Sequence, residues 1–216
     1  GNVIDPLDVV DKYGADVLRV YVLFMGDYEK AAPWSDSSVR GCKRFLDRTA
    51  GLLDIAKGSG ATPELESSFH KTVKKVSDDI EEMKFNTGIA ALMTLINEIY
   101  DHGSLTVDEL KTFVSLLCPY APHLCEEIWE KCGGKGLLSL GGWPEFDEAK
   151  TVDETVEIAV QICGKLRATI TIPRDADKDE AIAAAKTDAR VAEQLAGKNI
   201  VKEIYVPGRI VNIVAK

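Results

Sequence analysis

Through the first two thirds of the chain, apolar residues recur three and four positions apart, the period of a helix buried along one stripe. Asp5-Pro6 reads as a helix start, with Asp as N-cap and Pro where its missing N–H costs nothing. Gly14 ends that helix, and Val17, Leu18, Tyr21 and Phe24 resume the spacing before a loop from Gly26 to Pro33. Ser35 and Asp36 cap a longer helix whose stripe is Val39, Cys42, Leu46, Thr49, Leu53 and Ala56, with Arg40, Lys43, Arg44 and Arg48 off it. Gly58-Ser59-Gly60 breaks the pattern as a flexible connector. Two bundle helices follow, one marked by Phe69, Val73, Val76, Ile80 and Met83, the next by Phe85, Ile89, Leu92, Ile96 and Ile99 up to Gly103. Another begins near Thr106 or Asp108 and runs to Leu117. Pro119 and Pro122 must kink or divide it, and helix resumes through Ile128 and Trp129 to a stop at Gly133-Gly134.

Residues 136–155, with Gly141, Gly142 and Pro144, read as a linker, and beyond them the period changes from 3.6 to 2. Val156, Ile158, Val160 and Ile162 alternate with polar or small residues, as do Leu166, Ala168, Ile170 and Ile172. Gly164-Lys165 between them reads as a type II′ hairpin turn. Lys178 to Ala196 is Ala-rich and helical up to Gly197, and Val201–Val206 and Ile210–Val214 are strands around Pro207-Gly208. The fold class expected is therefore mainly α, an antiparallel helical bundle followed by a small α+β domain of ββαββ order.

Composition narrows what such a protein does. With 45% hydrophobic and 28% charged residues over 216 positions, the chain is neither disordered nor collagenous, and its length suits two folding units. The formal charge of -9 argues against a surface coated in basic residues, but it conceals a split. Residues 156–216 carry 10 basic and 8 acidic side chains, net +2, leaving 16 and 27, net -11, before them. An anionic partner is better met by the tail. No apolar run approaches a membrane span and no leader precedes the first helix, so a cytoplasmic protein without membrane partners is expected. Five cysteines without a C-x-x-C fit a reducing compartment. Cys118, Cys125 and Cys132 fall seven apart near His123, but helical packing explains that spacing better than a metal site, and no metal is expected.

A catalytic constellation is also missing. His70, His102 and His123 are scattered, no glycine-rich phosphate loop occurs, and Asp78-Asp79, Glu81-Glu82 and Glu126-Glu127 read as solvated helix faces. Neither catalytic residues nor a cofactor are expected in this chain. Two cationic groups stand out instead. Arg40, Arg44 and Arg48, four apart, would line one helix edge, suited to bidentate phosphate contact or to pairing with Asp36 and Asp47. Lys165, Arg167, Arg174, Lys198, Lys202 and Arg209 sit at loops and strand ends, where an RNA backbone is a reasonable partner if they converge.

The stretch from Gly1 to Pro6, followed by Asp11-Lys12-Tyr13-Gly14-Ala15-Asp16-Val17-Leu18-Arg19, resembles the segment directly after the KMSKS signature of class I aminoacyl-tRNA synthetases for aliphatic amino acids. Phe24-Met25-Gly26, Ala32-Pro33-Trp34-Ser35 and Arg44-Phe45-Leu46-Asp47-Arg48 are similar to the leucyl branch in its bacterial form. The resemblance continues through Lys84 to Met93 and Cys118 to Trp129, like a helical anticodon-binding domain. It then runs through Trp143-Pro144, Val160 to Arg167 and Tyr205 to Asn212, like a small carboxy-terminal domain. Cys163 departs from it, standing where the family often has Asn before Gly-Lys.

The resemblance implies a division into residues 1–33 as a junction after the catalytic loop, 34–135 as the anticodon-binding-type domain, 136–155 as linker and 156–216 as the tRNA-binding tail. It implies a parent ligase that uses ATP, with Mg, to form leucyl-adenylate and charge tRNA(Leu), its catalytic and editing domains lying upstream. The absence of an initiator Met at Gly1 fits a fragment, catalytically inactive alone. The leucyl branch is implied not to rely on anticodon bases for identity, the helical domain supporting tRNA geometrically while the tail reaches the outer corner of its L shape. The isoleucyl or valyl branch, or a free-standing RNA-binding module, are the alternatives.

Overall fold

Side-chain caps decide where the helices begin. In the computed structural model, which describes residues 4–26, 33–151 and 155–216, Asp5 accepts from Leu7 N at 2.9 Å to start α1 (Pro6–Tyr13). Gly14, at φ 91°, separates it from α2 (Ala15–Phe24). Ser35 caps α3 (Asp36–Ile55), accepting from Ser38 N at 3.3 Å. Helices α4 (Pro63–Glu81) and α5 (Phe85–His102) follow. Thr106 and Glu109 then form a reciprocal capping box at the start of α6 (Val107–Leu117). Pro119 and Pro122 divide α6 from α7 (Pro122–Lys131) as the missing N–H groups require. The expected loop between Gly26 and Pro33 falls largely outside the described residues.

The chain separates into two compact units, residues 1–151 and 152–216, each with its own core. In the first, α3 contributes Val39, Cys42, Phe45, Leu46 and Leu52, all 5% exposed or less, so Phe45 and Leu52 displace the expected Leu53 and Ala56 from the centre of the stripe. Each fully buried side chain of this size is worth about 1.5–3 kcal/mol. Met83 does not continue the α4 stripe: it takes φ 57° and is 68% exposed. Lys84 N donates to Asp79 O and Met83 N to Ile80 O, a Schellman stop with Met at the left-handed position.

Three more expectations change because tertiary bonds override local polarity. Gly58-Ser59-Gly60 is no loose connector. Lys57 N donates to Leu105 O, Gly60 N to Asp108 Oδ2 at 2.8 Å and Thr106 Oγ1 to Gly60 O at 2.6 Å. Residues 136–151 lie against the helices: Glu126 accepts from Leu138 N and Ser139 N, Trp143 Nε1 donates to Ser77 Oγ, and Lys150 pairs with Glu66 at 2.7 Å. The acidic pairs are not all solvated, since Asp79 is 2% exposed and takes bonds from Lys75 and Thr87.

The second unit is a four-stranded sheet in the order β2-β1-β4-β3, with β1 (Thr155–Ile162), β2 (Lys165–Pro173), β3 (Ile200–Val206) and β4 (Ile210–Ala215). β1 and β4 are parallel, and the outer pairs are antiparallel. The expected single helix is two, α8 (Lys178–Thr187) and α9 (Ala189–Leu195), because Asp188 turns extended and caps the second through Arg190 N and Val191 N. Ala181, Ile182, Ala185 and Val191 pack with Ile158, Val160, Val211 and Ile213 in the core of this unit.

The hairpin also differs from expectation. Ile162 pairs with Lys165, so the turn is Cys163-Gly164, with φ 51° and 78°. Positive φ at both positions marks type I′ rather than II′. Val160 pairs with Ala168 but Gln161 with Leu166, leaving Arg167 as the extra residue of a bulge. Leu166 thereby leaves the expected inward row and is 61% exposed.

Candidate nucleic-acid interface

The sheet register decides which of the terminal unit's cations come together. Because β4 runs parallel to β1, its last residues lie beside the β1–β2 turn: Cys163 N donates to Ile213 O and Gly164 N to Asn212 Oδ1. β3 starts at that same end, where Asn199 and Lys216 exchange both backbone bonds. Lys165 and Arg167 of the hairpin and Lys198 and Lys202 around the start of β3 therefore share one end of the sheet. Lys165, Lys198 and Lys202 are exposed and Arg167 is half-buried. Lys216 joins them, a residue the sequence pattern did not single out.

The other two candidates lie elsewhere. Arg209 precedes β4 at the level of Ala159, whose N–H donates to Arg209 O, three residues and roughly 10 Å along the strand from Ile162. Arg174 follows Pro173, which pairs with Thr155 at the far end of β1. Both are exposed, but neither joins the hairpin group. Lys186 is drawn to Glu203 at 2.6 Å and is a neutralised cation of this unit.

In the helical unit, Arg40, Arg44 and Arg48 are all exposed on α3. The ion pairs anticipated for them do not form: Asp47 pairs with Lys43 at 2.5 Å, and Asp36 accepts from Trp34 Nε1 at 2.9 Å. Arg48 is held by α5, donating from Nη1 to Asn97 Oδ1 at 2.6 Å with its guanidinium 4.7 Å from the centre of the Tyr100 ring. Tyr100 in turn donates its hydroxyl to Arg48 O at 2.8 Å. The row thus splits into two unpaired guanidiniums, among the described residues, and one that is fixed in place. Nothing in the spacing along α3 announced Asn97 and Tyr100, since only packing brings α5 beside it.

Groups that resemble catalytic or metal-binding parts have structural work. Asp16, 9% exposed, accepts from His123 Nδ1 and Leu124 N, both at 2.8 Å, and so caps α7 from another helix. Arg19 grips Pro119 O through Nε and Nη2. Glu109 accepts from Thr62 N and Oγ1 as well as Thr106 N, joining the starts of α4 and α6. Cys118 and Cys125 are buried, and no cluster of metal-ligating side chains occurs among the described residues. Burial pushes the Cys42 thiol up to about 11 and raises Cys118, Cys125 and Cys132 as well. The four cations that the sheet register gathers at one end can contact a polyanion through charge-assisted bonds.

Comparison with known proteins identifies the family. Residues 63–182 match the family described as the anticodon-binding domain of tRNA ligase. The whole chain is similar to leucine–tRNA ligase of Alkaliphilus oremlandii, at 50% identity, and of Bdellovibrio bacteriovorus, at 46%, and covers 27% and 28% of those proteins. Among solved structures it is similar to the agnB2 LeuRS of Agrobacterium radiobacter K84 in a ternary complex with tRNA and LeuAMS. That likeness has a TM-score of 0.72 and 32% identity, over all of this chain and 30% of that one. The chain spans a little over a quarter of the length of the curated relatives it matches.

Proposed function

Because the chain belongs to the family of tRNA-ligase anticodon-binding domains, we propose that it is the tRNA-binding, carboxy-terminal portion of a bacterial-type leucine–tRNA ligase. In this reading it grips tRNA(Leu) in a cytoplasmic ligase. Leucyl-adenylate formation from ATP, with Mg, and editing belong to other domains of the same parent protein. The chain alone forms no leucyl-adenylate. Its contribution is positional: holding the body of a large substrate turns the meeting of its far end with the activated amino acid into an intramolecular event.

The observation that carries the reading is the whole-length similarity at 50% identity. Support comes from the cations that the sheet register gathers at one end, Lys165, Arg167, Lys198 and Lys202, in the unit whose charge is net positive. Contacts from such groups to phosphates set position and affinity rather than sequence preference. The test is tRNA(Leu) affinity across a salt series. Lys165→Ala with Arg167→Ala is expected to weaken binding and to shallow the salt slope by roughly 2, about one for each phosphate that is no longer neutralised. Arg174→Ala with Arg209→Ala, away from the hairpin, should do less. Unaltered affinity and slope in the hairpin variant would remove that end of the sheet from the interface.

A further inference from the structure

Between α3 and α5 lies a hollow of about 340 Å3 with Phe45, Met93 and Ile96 as its floor and Arg44, Arg48 and Asn97 on its rim. That is near the lower bound of small-ligand sites, and too small for a duplex. Arg48 is committed to Asn97 and Tyr100 and so forms a fixed planar wall. The bond it makes to Asn97 Oδ1 leaves the amide N–H groups of Asn97 to donate elsewhere. Arg44 and, one turn earlier, Arg40 have no ion pair among the described residues. A Cβ placed on Gly41 meets nothing within 4 Å, so α3 leaves the mouth of the hollow open there.

An apolar floor, a planar cation wall, an amide donor and two adjacent guanidiniums complement a single unstacked nucleotide, with the base inside and its phosphate on Arg44 and Arg40. We propose that this hollow receives one unpaired base of the bound tRNA. The proposal rests on the tRNA-binding reading above and adds to it a base-accepting site on the helical unit. The positive row stands out on a chain of net charge -9, which makes a polyanion the complementary occupant.

The experiment measures binding of the 216-residue chain to a tRNA(Leu) transcript between about 50 and 200 mM salt. Gly41→Leu fills the hollow without removing a charge, and affinity is expected to fall about tenfold at an unchanged salt slope, the loss of one stacked base. Gly41→Ala, whose Cβ has room, should bind like the parent chain. Arg44→Gln should instead shallow the slope by about 1. Independently of any variant that melts, a transcript carrying 4-thiouridine should crosslink to peptides containing Phe45 or Met93. Normal affinity of a folded Gly41→Leu, or crosslinks confined to other elements, would overturn the base site while leaving tRNA binding intact. A parent chain that binds no tRNA would refute the function proposed above and the hollow with it.

Discussion

Gly88→Ala sets two physical effects against each other. In an exposed helix the change gains about 1 kcal/mol, because Ala loses less backbone entropy. Gly88, however, sits in α5 where an added Cβ would lie 2.5 Å from the Tyr120 hydroxyl oxygen, 3.5 Å from its Cζ and 3.7 Å from Asp79 Cβ. Tyr120 is 0% exposed and lies edge-on to Phe85 at 6.3 Å, so its ring must move by about 1 Å within a filled core. Overpacking of this kind costs typically 1–3 kcal/mol. With the upper part of that range set against the helix-propensity gain, Gly88→Ala should destabilise the helical unit by about 1–2 kcal/mol and lower its thermal midpoint by roughly 3–6 °C. All three tryptophans, Trp34, Trp129 and Trp143, lie in that unit, so their fluorescence in a urea or thermal titration reports it without the sheet. Tyr120→Phe removes the atom that clashes, and the Gly88→Ala penalty measured in that background should shrink by about 1 kcal/mol. A Gly88→Ala chain as stable as the parent, or an undiminished penalty beside Phe at 120, would refute the close-packing argument.

Further expectations concern groups whose setting is equally specific. Backbone N–H donation, chiefly from Ser139 and then Leu138, holds the Glu126 carboxyl below its usual value of 4.5 despite some opposing desolvation. A carboxylate depressed in the folded state stabilises above its unfolded pKa, so the tie to Leu138 and Ser139 persists above about pH 4.5 and is lost as pH falls through the lower folded value. Trp143 fluorescence should show that acid step, and Glu126→Gln should lack it. At pH 8 the Cys42 thiol, raised to about 11, is ionised in about one molecule per thousand, and burial also raises Cys125 well above the ordinary thiol value. Iodoacetamide should therefore label the exposed Cys163 first and leave Cys42 and Cys125 unlabelled until unfolding, as peptide mass mapping would show. Equal labelling of Cys42 in the native chain would contradict its burial. Cys163 occupies the first position of the type I′ turn at φ 51°, which costs a non-glycine residue about 1 kcal/mol and suits Asn better. Cys163→Asn should slow amide exchange at Ile162 and Lys165 about fivefold, and faster exchange would argue that the Cys163 Sγ bond to Ala215 O matters more.

Helices α3, α5 and α6 were legible from local chemistry: Ser35 and Thr106 as caps, Gly103 as stop and apolar residues three and four apart between them. The prolines that end and begin α6 and α7 were equally plain, as was the change to period 2 at Val156. These signals live within one turn or one strand, where backbone sterics and burial of a single face act without a partner. Harder to read were short polar stretches. Gly58-Ser59-Gly60 and residues 136–151 have loop composition, yet both are ordered by side chains far along the chain, Asp108 and Glu126 among them. The Asp188 break inside an Ala-rich run and the bulge at Arg167 each turn on one residue's local bonding, which average propensity conceals.

For the interface, sequence alone determined which side chains are cationic, that the basic excess lies after residue 155, and which family the order of motifs resembles. Tertiary structure alone decided their grouping. The parallel pairing of β1 with β4 carries Lys198 and Lys202 to the hairpin of Lys165 and Arg167 and leaves Arg174 and Arg209 elsewhere. The packing of α5 on α3 immobilises Arg48, while Asp47 turns to Lys43 and Asp36 to Trp34, leaving Arg40 and Arg44 without an ion pair among the described residues. Charge is a property of each residue, written in the chain. Convergence depends on register and on the partners that long-range packing supplies, and no spacing along a single element encodes either.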